Sequence, residues 1–437
     1  MASTAEGPDS LLEKRPGRSP AMPAACRAVF ARIGITPPAL RRMAAGLAVL
    51  ASLATACGGG THTARTPTSF TSPGPLPTRR LTPVFADPET CPEPPREKRE
   101  IKPAAAPSGW ETLWTEGAQG TALIDATVTA DGTIWAAHAD TSRRHVPWRW
   151  NGLSWTPVGF PEDLSEIQTV AAESKDRALV FGRRGNDGYA ASYEAGRWRV
   201  ETIPGQGGWP SFTSSGPWVA DHELTRRWNG GAWQAGRLSF PVRALASFGA
   251  DTWAVGDFTA ARWDGGGWQK IGMPSLRVPE DAYVLWDDVA VLGNGHAWVF
   301  GRASWEEAGP VRDDNEPWIV YRSFGLRFAE GSWRCVWGLG TREAEPDGKG
   351  GMWLVAADDE LWHLSGDGRW TRQRLPVPSG WSASVHKLAL RPGTTEVYAV
   401  GSAGPKDSSG HGLNGVRVQA KAMMWRFRSD EGRQASP

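Results

Sequence analysis

The sequence predicts an all-β chain: a seven-bladed β-propeller closed by pairing of its N- and C-terminal strands, behind a disordered N-terminal leader. Three observations predict it. The 437 residues include 25 Trp, every one at or after position 110. A hairpin pattern returns six times: an apolar strand, a loop, a strand ending in Arg-Trp, a tight turn and a last strand carrying Trp. A seventh copy lacks its last strand, and that strand stands at the start of the same region.

The first 56 residues read as a signal and leader. Arg41-Arg42 precede an apolar run, Met43 to Leu53, and Ala54-Thr55-Ala56-Cys57 follows. A basic start, a short apolar stretch and an A-x-A site make an export signal, and the run is shorter than the roughly 20 residues that span a bilayer. Met22 and Met43 are alternative starts, which would leave residues 1–21 untranslated. Arg41-Arg42 match a twin-arginine signal poorly. Ala54-Thr55-Ala56-Cys57 followed by glycines resembles a bacterial lipobox, which implies lipidation of Cys57 and a tether to the outer face of the cytoplasmic membrane. The lipobox pattern prefers Leu or Val where Ala54 stands, and ordinary cleavage before Cys57 is the other reading. The Ala, Arg and Gly content suggests a high-GC bacterium. Residues 57–107, rich in Pro, Thr, Ser and Gly, bury too little apolar surface to offset ordering entropy and read as a flexible linker. The propeller is expected over 108–428, and 429–437 as a disordered tail.

Blade four displays the repeat best: Trp253-Ala254-Val255-Gly256, then Arg262-Trp263-Asp264-Gly265, then Trp268 and Met273-Pro274. The last-strand Trp recurs as Trp155, Trp198, Trp233, Trp268, Trp333 and Trp370, and Trp110 supplies the copy missing from blade seven. Asn151-Gly152, Asn229-Gly230 and Asp264-Gly265 are expected to form two-residue type I′ turns, in which both residues need positive φ. A two-residue turn after Trp150 would set Trp155 opposite Trp148, with Trp148, Trp150 and Trp155 on one face. Upstream, apolar runs such as Thr133 to Ala137, Ala178 to Gly182, Ala297 to Gly301 and Val397 to Gly401 fit inner strands buried on both faces, and runs such as Ala122 to Val128 and Val385 to Leu390 fit innermost ones. Four strands make a propeller blade. Joining the strand at Trp110 to the one at Trp425 would leave no open edge between the termini. Aromatic residues at these spacings are inter-blade core rather than a ligand stripe.

This pattern resembles a kelch-type repeat and the Trp-rich propellers of bacterial secreted proteins and lipoproteins, over about residues 108–428. It lacks the kelch double glycine. The resemblance implies the fold; for function it implies an interaction scaffold or, in a few members, an oxidase.

Composition narrows the function. With 48 basic and 47 acidic residues the formal charge is +1, without the basic excess of a nucleic-acid binder. No C-x-x-C occurs among the four cysteines. Removal of Cys26 and modification of Cys57 leave Cys91 and Cys335 as a candidate disulfide, in keeping with an oxidising compartment. His138, His145, His222, His296, His363, His386 and His411 show no metal-ligand spacing and read as satisfied surface or loop residues. No nucleophile-elbow, P-loop or zincin motif is present. No cofactor or metal is expected. Binding is the favoured reading because two loops on one face are enlarged, Gly301 to Pro317 and Ser402 to about Gln419. The candidate binding residues are Trp305, Glu306, Arg312, Asp313 and Asp314 there, with Arg143, Arg144 and Arg183 from blades one and two. The expected partner is a protein, peptide or glycan, bound by a monomer. The alternative is an extracellular enzyme, oxidase or lyase in type, with a metal or cofactor in the central channel.

Overall fold

A computed structural model describes residues 90–95 and 101–428, except 143, 163, 165, 186, 204–208, 214–215, 229–232, 308–317, 358–359 and 407–417. The described strands form seven sheets. No helix among the described residues is long and apolar enough to cross a membrane.

The seven sheets are seven blades in chain order. Blade one holds Thr121–Val128, Ile134–Asp140, His145–Trp150 and Trp155–Pro157, innermost strand first. Blades two to five repeat this arrangement, starting at Glu166, Trp209, Val242 and Tyr283. Blade six runs from Ala344 to Arg374 and gains a fifth strand, Ala104–Ala105, parallel to Trp370–Arg374. Part of the stretch assigned to the linker by composition therefore lies against a blade. Blade seven takes Trp381–Leu390, Val397–Pro405 and Lys421–Phe427 from the C-terminal end, and Trp110–Thr115 from the N-terminal end. Trp110 stands opposite Phe427, and Arg426 binds the Glu111 carboxylate beside it. This clasp removes the open edge that would otherwise invite pairing with another chain.

One device packs the junctions between blades. At one register position of the second strand, six blades carry an aromatic ring that points at the next blade: Trp135, Trp218, Trp253, Trp298, Trp353 and Tyr398. Each is paired across the ladder with a cation-forming residue on the third strand, in the same order Arg149, Arg227, Arg262, Arg327, His363 and Arg426. The Arg149 guanidinium lies 5.8 Å from the Trp135 ring and Arg227 5.8 Å from Trp218, within cation–π range. The second-strand ring meets the aromatic pair of the next hairpin. Trp253 lies 5.2 Å from Phe328 and 6.4 Å from Trp333, while Trp353 lies 5.1 Å from Trp110 and 4.7 Å from Phe427. Edge-to-face rings at such distances add to the large apolar area each one removes from water. This explains the recurring Arg-Trp: the Arg backs the ring of its own blade and the Trp receives the ring of the blade before. Blade two breaks the pattern, with Leu179 opposite Ser192.

The glycine ending many second strands has a separate cause. In five blades the innermost strand carries a β-bulge, at Ile124, Gln168, Arg243, Asp287 and His386. A Cβ at Gly182, Gly256, Gly301 or Gly401 would run into the carbonyl oxygen of Glu166, Pro241, Leu285 or Ser384, the second residue before each bulge.

The hairpin turns differ from expectation. Trp150 pairs with Trp155, and Trp148 with Pro157. The turn therefore spans four residues, although the three rings do share a face. The reason is the side chain at its start. Asn151 accepts the backbone N–H of Leu153 and of Ser154, and Asp264 accepts those of Gly266 and Gly267. Such Asx turns compete with the tighter alternative. Two-residue turns with positive φ at both positions occur instead at Ala195-Gly196 and Glu330-Gly331. Asn229-Gly230 lies outside the described residues.

Candidate functional site

Antiparallel alternation brings the start of every innermost strand to the same face as the end of the second strand, and the bulges mark that face at the ring axis. Arg243, Asp287 and His386 are the bulge residues of blades four, five and seven at this end, the mouth of the central channel. Arg302 lies 3.4 Å from Asp287, and Arg243 3.6 Å from Asp257. His386 is exposed, yet desolvation by the surrounding protein holds its pKa below the ordinary value.

One position beyond the bulges, the innermost strands carry Asp125, Thr169, Asp288 and Lys387. Blade six adds Glu343 and Glu345. Asp125 accepts the Thr169 hydroxyl at 2.5 Å and the Val170 N–H at 2.6 Å, both on blade two. Asp288 accepts the Ala344 N–H of blade six at 2.8 Å, and Glu345 the Leu390 N–H of blade seven at 2.9 Å. Each carboxylate thus ties its blade to the next. Lys387 lies 2.5 Å from Glu343. Burial pushes the pKa of all four carboxyls up and Lys387 only partly offsets it; Glu345 is raised to about 7. Burial lowers the Lys387 pKa, but the surrounding carboxylates outweigh it and hold the ammonium well above its ordinary value. No group of three or more His, Cys, Asp or Glu among the described residues is arranged to hold a metal ion.

Beyond this mouth blade five has the longest described strands, His296–Glu307 and Trp318–Ala329. Its middle strands extend as one ladder, with Gly301 opposite Phe324 and Glu307 opposite Trp318. Trp305 and Glu306 are therefore strand residues rather than loop residues, because the ladder continues past the expected loop start. Trp305 is half-buried on the face of Val284 and Val320, with the Arg322 guanidinium 5.9 Å from its ring. The other face carries what sequence reasoning missed. Tyr283 pairs with Ser304, and Ser304 with Tyr321, so two tyrosines flank one serine on three adjacent strands. Tyr283 is 63% exposed, Tyr321 62% and Ile319, two residues along, 47%. The signal for it was the alternation Ile319-Val320-Tyr321-Arg322, which follows directly on the expected loop Gly301 to Pro317.

The remaining candidates are not brought together among the described residues. Arg144 is exposed on blade one. Arg183 is half-buried on blade two, opposite Glu166 and Gly188. Arg143, Arg312, Asp313, Asp314 and Cys57 lie outside the described residues. His138 and His363 are strand residues stacked on Trp148 and Trp353 at 4.0 and 4.3 Å, each 2.9 Å from a carboxylate, Glu116 or Asp347.

Away from the mouth, Cys91 and Cys335 form a disulfide with 5.7 Å between Cα atoms. The segment around Cys91 is held further by the Trp337 indole N–H donating to Pro92 O and by Cys91 N–H donating to Ser275 O.

No family model matches the chain, and no curated protein matches it. Its likeness is to solved structures. The N-terminal domain of Nup159 is 11% identical, with a TM-score of 0.46, over 78% of this chain and 100% of that one. The structure of U3-55K gives 13%, 0.44, 72% and 98%. The GH93 α-L-arabinofuranosidase of Fusarium graminearum with arabinobiose gives 9%, 0.42, 74% and 99%.

Proposed function

We propose that this propeller is a binding module whose partner, a protein or peptide, docks on the blade-five extension beside the channel mouth. The carrying observation is the exposed row Tyr283, Tyr321 and Ile319 on a strand ladder standing above the ring. Tyrosine offers large contact area at low entropic cost and is enriched where proteins meet. Arg302, half-exposed on the same face, and the charged mouth would supply the polar rim. The carboxylates of the bore are occupied in joining blades, which favours binding over chemistry there. We place the module on the outer face of a bacterial cytoplasmic membrane, tethered through a lipid on Cys57 and acting as a monomer. The lipobox-like Ala54 to Cys57 and the kelch-like repeat support this placement.

The test is photo-crosslinking on intact cells with a reactive phenylalanine analogue at position 321. A discrete crosslinked partner, lost when Tyr283→Ser and Ile319→Ser are added without a change in unfolding temperature, supports the reading. Capture that survives those substitutions overturns it. Clickable fatty-acid labelling that disappears in Cys57→Ala tests the tether.

A further inference from the structure

Six junctions receive a ring from one register position of the preceding blade's second strand, the one opposite the third-strand cation; at the junction from blade two to blade three that position carries no ring. Leu179 stands where Trp or Tyr stands elsewhere, and Ser192 replaces the backing Arg or His. The receiving half is nevertheless complete. Trp228 and Trp233 lie 5.4 Å apart at 59°. The equivalent pair of blade four, Trp263 and Trp268, lies 5.6 Å apart at 69° and holds Trp218 at 5.0 and 5.2 Å. Among the described residues, blade three thus keeps an aromatic receiver that no ring enters from this register position, although Phe181, two residues on, touches Trp233 at its edge.

The space is real. A cleft of about 640 Å³ opens between the two blades, lined by Leu179, Ala190, Ser192, Pro217, Trp228 and Trp233 among others. Small-molecule sites commonly span roughly 300–1,000 Å³. Towards the channel mouth Phe181 reaches Trp233, with ring centroids 6.0 Å apart, and limits the cleft on that side. Around it stand Arg177, Arg197 and Arg199, with Glu173, Glu194 and Glu201. Arg199 lies one strand outside Ser192, with its guanidinium 3.2 Å from Glu201.

We infer that this cleft binds a small planar aromatic compound of about indole size, whose ring completes the junction as Trp218 completes the next one. Trp228 and Trp233 supply the edge and face contacts, and Leu179, Ala190 and Pro217 the apolar floor. The small Ala190 and Ser192 provide the room.

The experiment is saturation-transfer NMR on the purified full-length chain with indole as probe, alongside a Leu179→Trp variant that restores the ring from within. Indole should show transfer with the native chain and lose it in the variant, while the unfolding temperature stays level or rises. Absence of transfer with the native chain overturns the inference, as does undiminished transfer in a folded Leu179→Trp protein. Should that variant fail to fold, Ala190→Leu narrows the same cleft from the floor and must abolish the signal. A capped tryptophan tripeptide that binds while indole does not would reassign the cleft to a partner's side chain and sink the small-molecule reading. The blade-five substitutions should leave indole binding unchanged, so the two ideas fail separately.

Discussion

The Lys387 ammonium lies 2.5 Å from the Glu343 carboxylate, linking blade seven to blade six inside a bore that also holds Asp125, Asp288 and Glu345. One cation faces four buried acids. Removing it with Lys387→Met should destabilise the ring by about 3 kcal/mol at pH 8, the scale for breaking a buried pair. The loss should shrink at pH 5, where the acids accept protons. Urea unfolding at the two pH values checks this, and equal losses would contradict it.

The same acids fix a pH profile. A carboxyl whose folded pKa exceeds its unfolded value of about 4.3 keeps its proton in the native state after the unfolded chain has released it. Stability is then full below the unfolded pKa and falls as pH rises to the folded one. For Glu345 that upper limit is about 7. Glu396 behaves oppositely: burial raises it, but Arg428 and Arg391 draw it lower, so its contribution disappears only in acid. The unfolding temperature should therefore fall from pH 5 to pH 8, and Glu345→Gln should flatten the slope. A temperature that climbs over that range would oppose the assignment.

Trp253→Ala should cost about 3–5 kcal/mol, since it deletes a fully buried wedge from the junction of blades four and five. Leu179→Ala, facing an open cleft, should cost clearly less. Comparable losses in denaturant titration would mean that blade two is packed like the others.

Gly401→Ala drives a methyl into the Ser384 carbonyl beside a bulge, and the overpacking should cost about 1–3 kcal/mol. Gly159→Ala meets nothing within 4 Å at an ordinary φ and should be nearly neutral. Thermal melts of the pair separate bulge geometry from a general loss of glycine.

Cys91 and Cys335 are 244 residues apart. Cys91→Ser should lower stability by about 2–5 kcal/mol relative to the oxidised protein, and reductant should lower the native melting point towards that of the variant. Identical melts with and without reductant would count against the bond.

The repeat was legible because each blade repeats its chemistry where sequence can display it. Trp253 and Arg262 recur in kind because a pairing of strands sets them opposite, and the Trp110 clasp follows from a missing strand. The turn after Trp150 was misjudged because Asn-Gly supports either a two-residue turn or an Asx turn, and Asn151 chose its neighbours' N–H groups. Leu179 was in plain view within Ala178 to Gly182 but looked like any apolar residue until the rings around it were compared. Lys387 sat unremarked in an apolar run, since only a ring brings four carboxyls from three other blades to it. Tyr283 and Tyr321 lie outside the expected loop and became neighbours only when Ser304, read as loop, proved to be the strand residue between them.

The disulfide also determines how the domain bears a pull. Tension applied upstream of Cys91 passes through the two sulfur atoms into the outer strand of blade five, Ser332–Trp337. Downstream of Cys91, the added strand Ala104–Ala105 and the seam between Trp110 and Phe427 carry no load. A chain tugged from its leading end would thus be gripped at a covalent cleat, while the zipper that shuts the circle is spared from peeling.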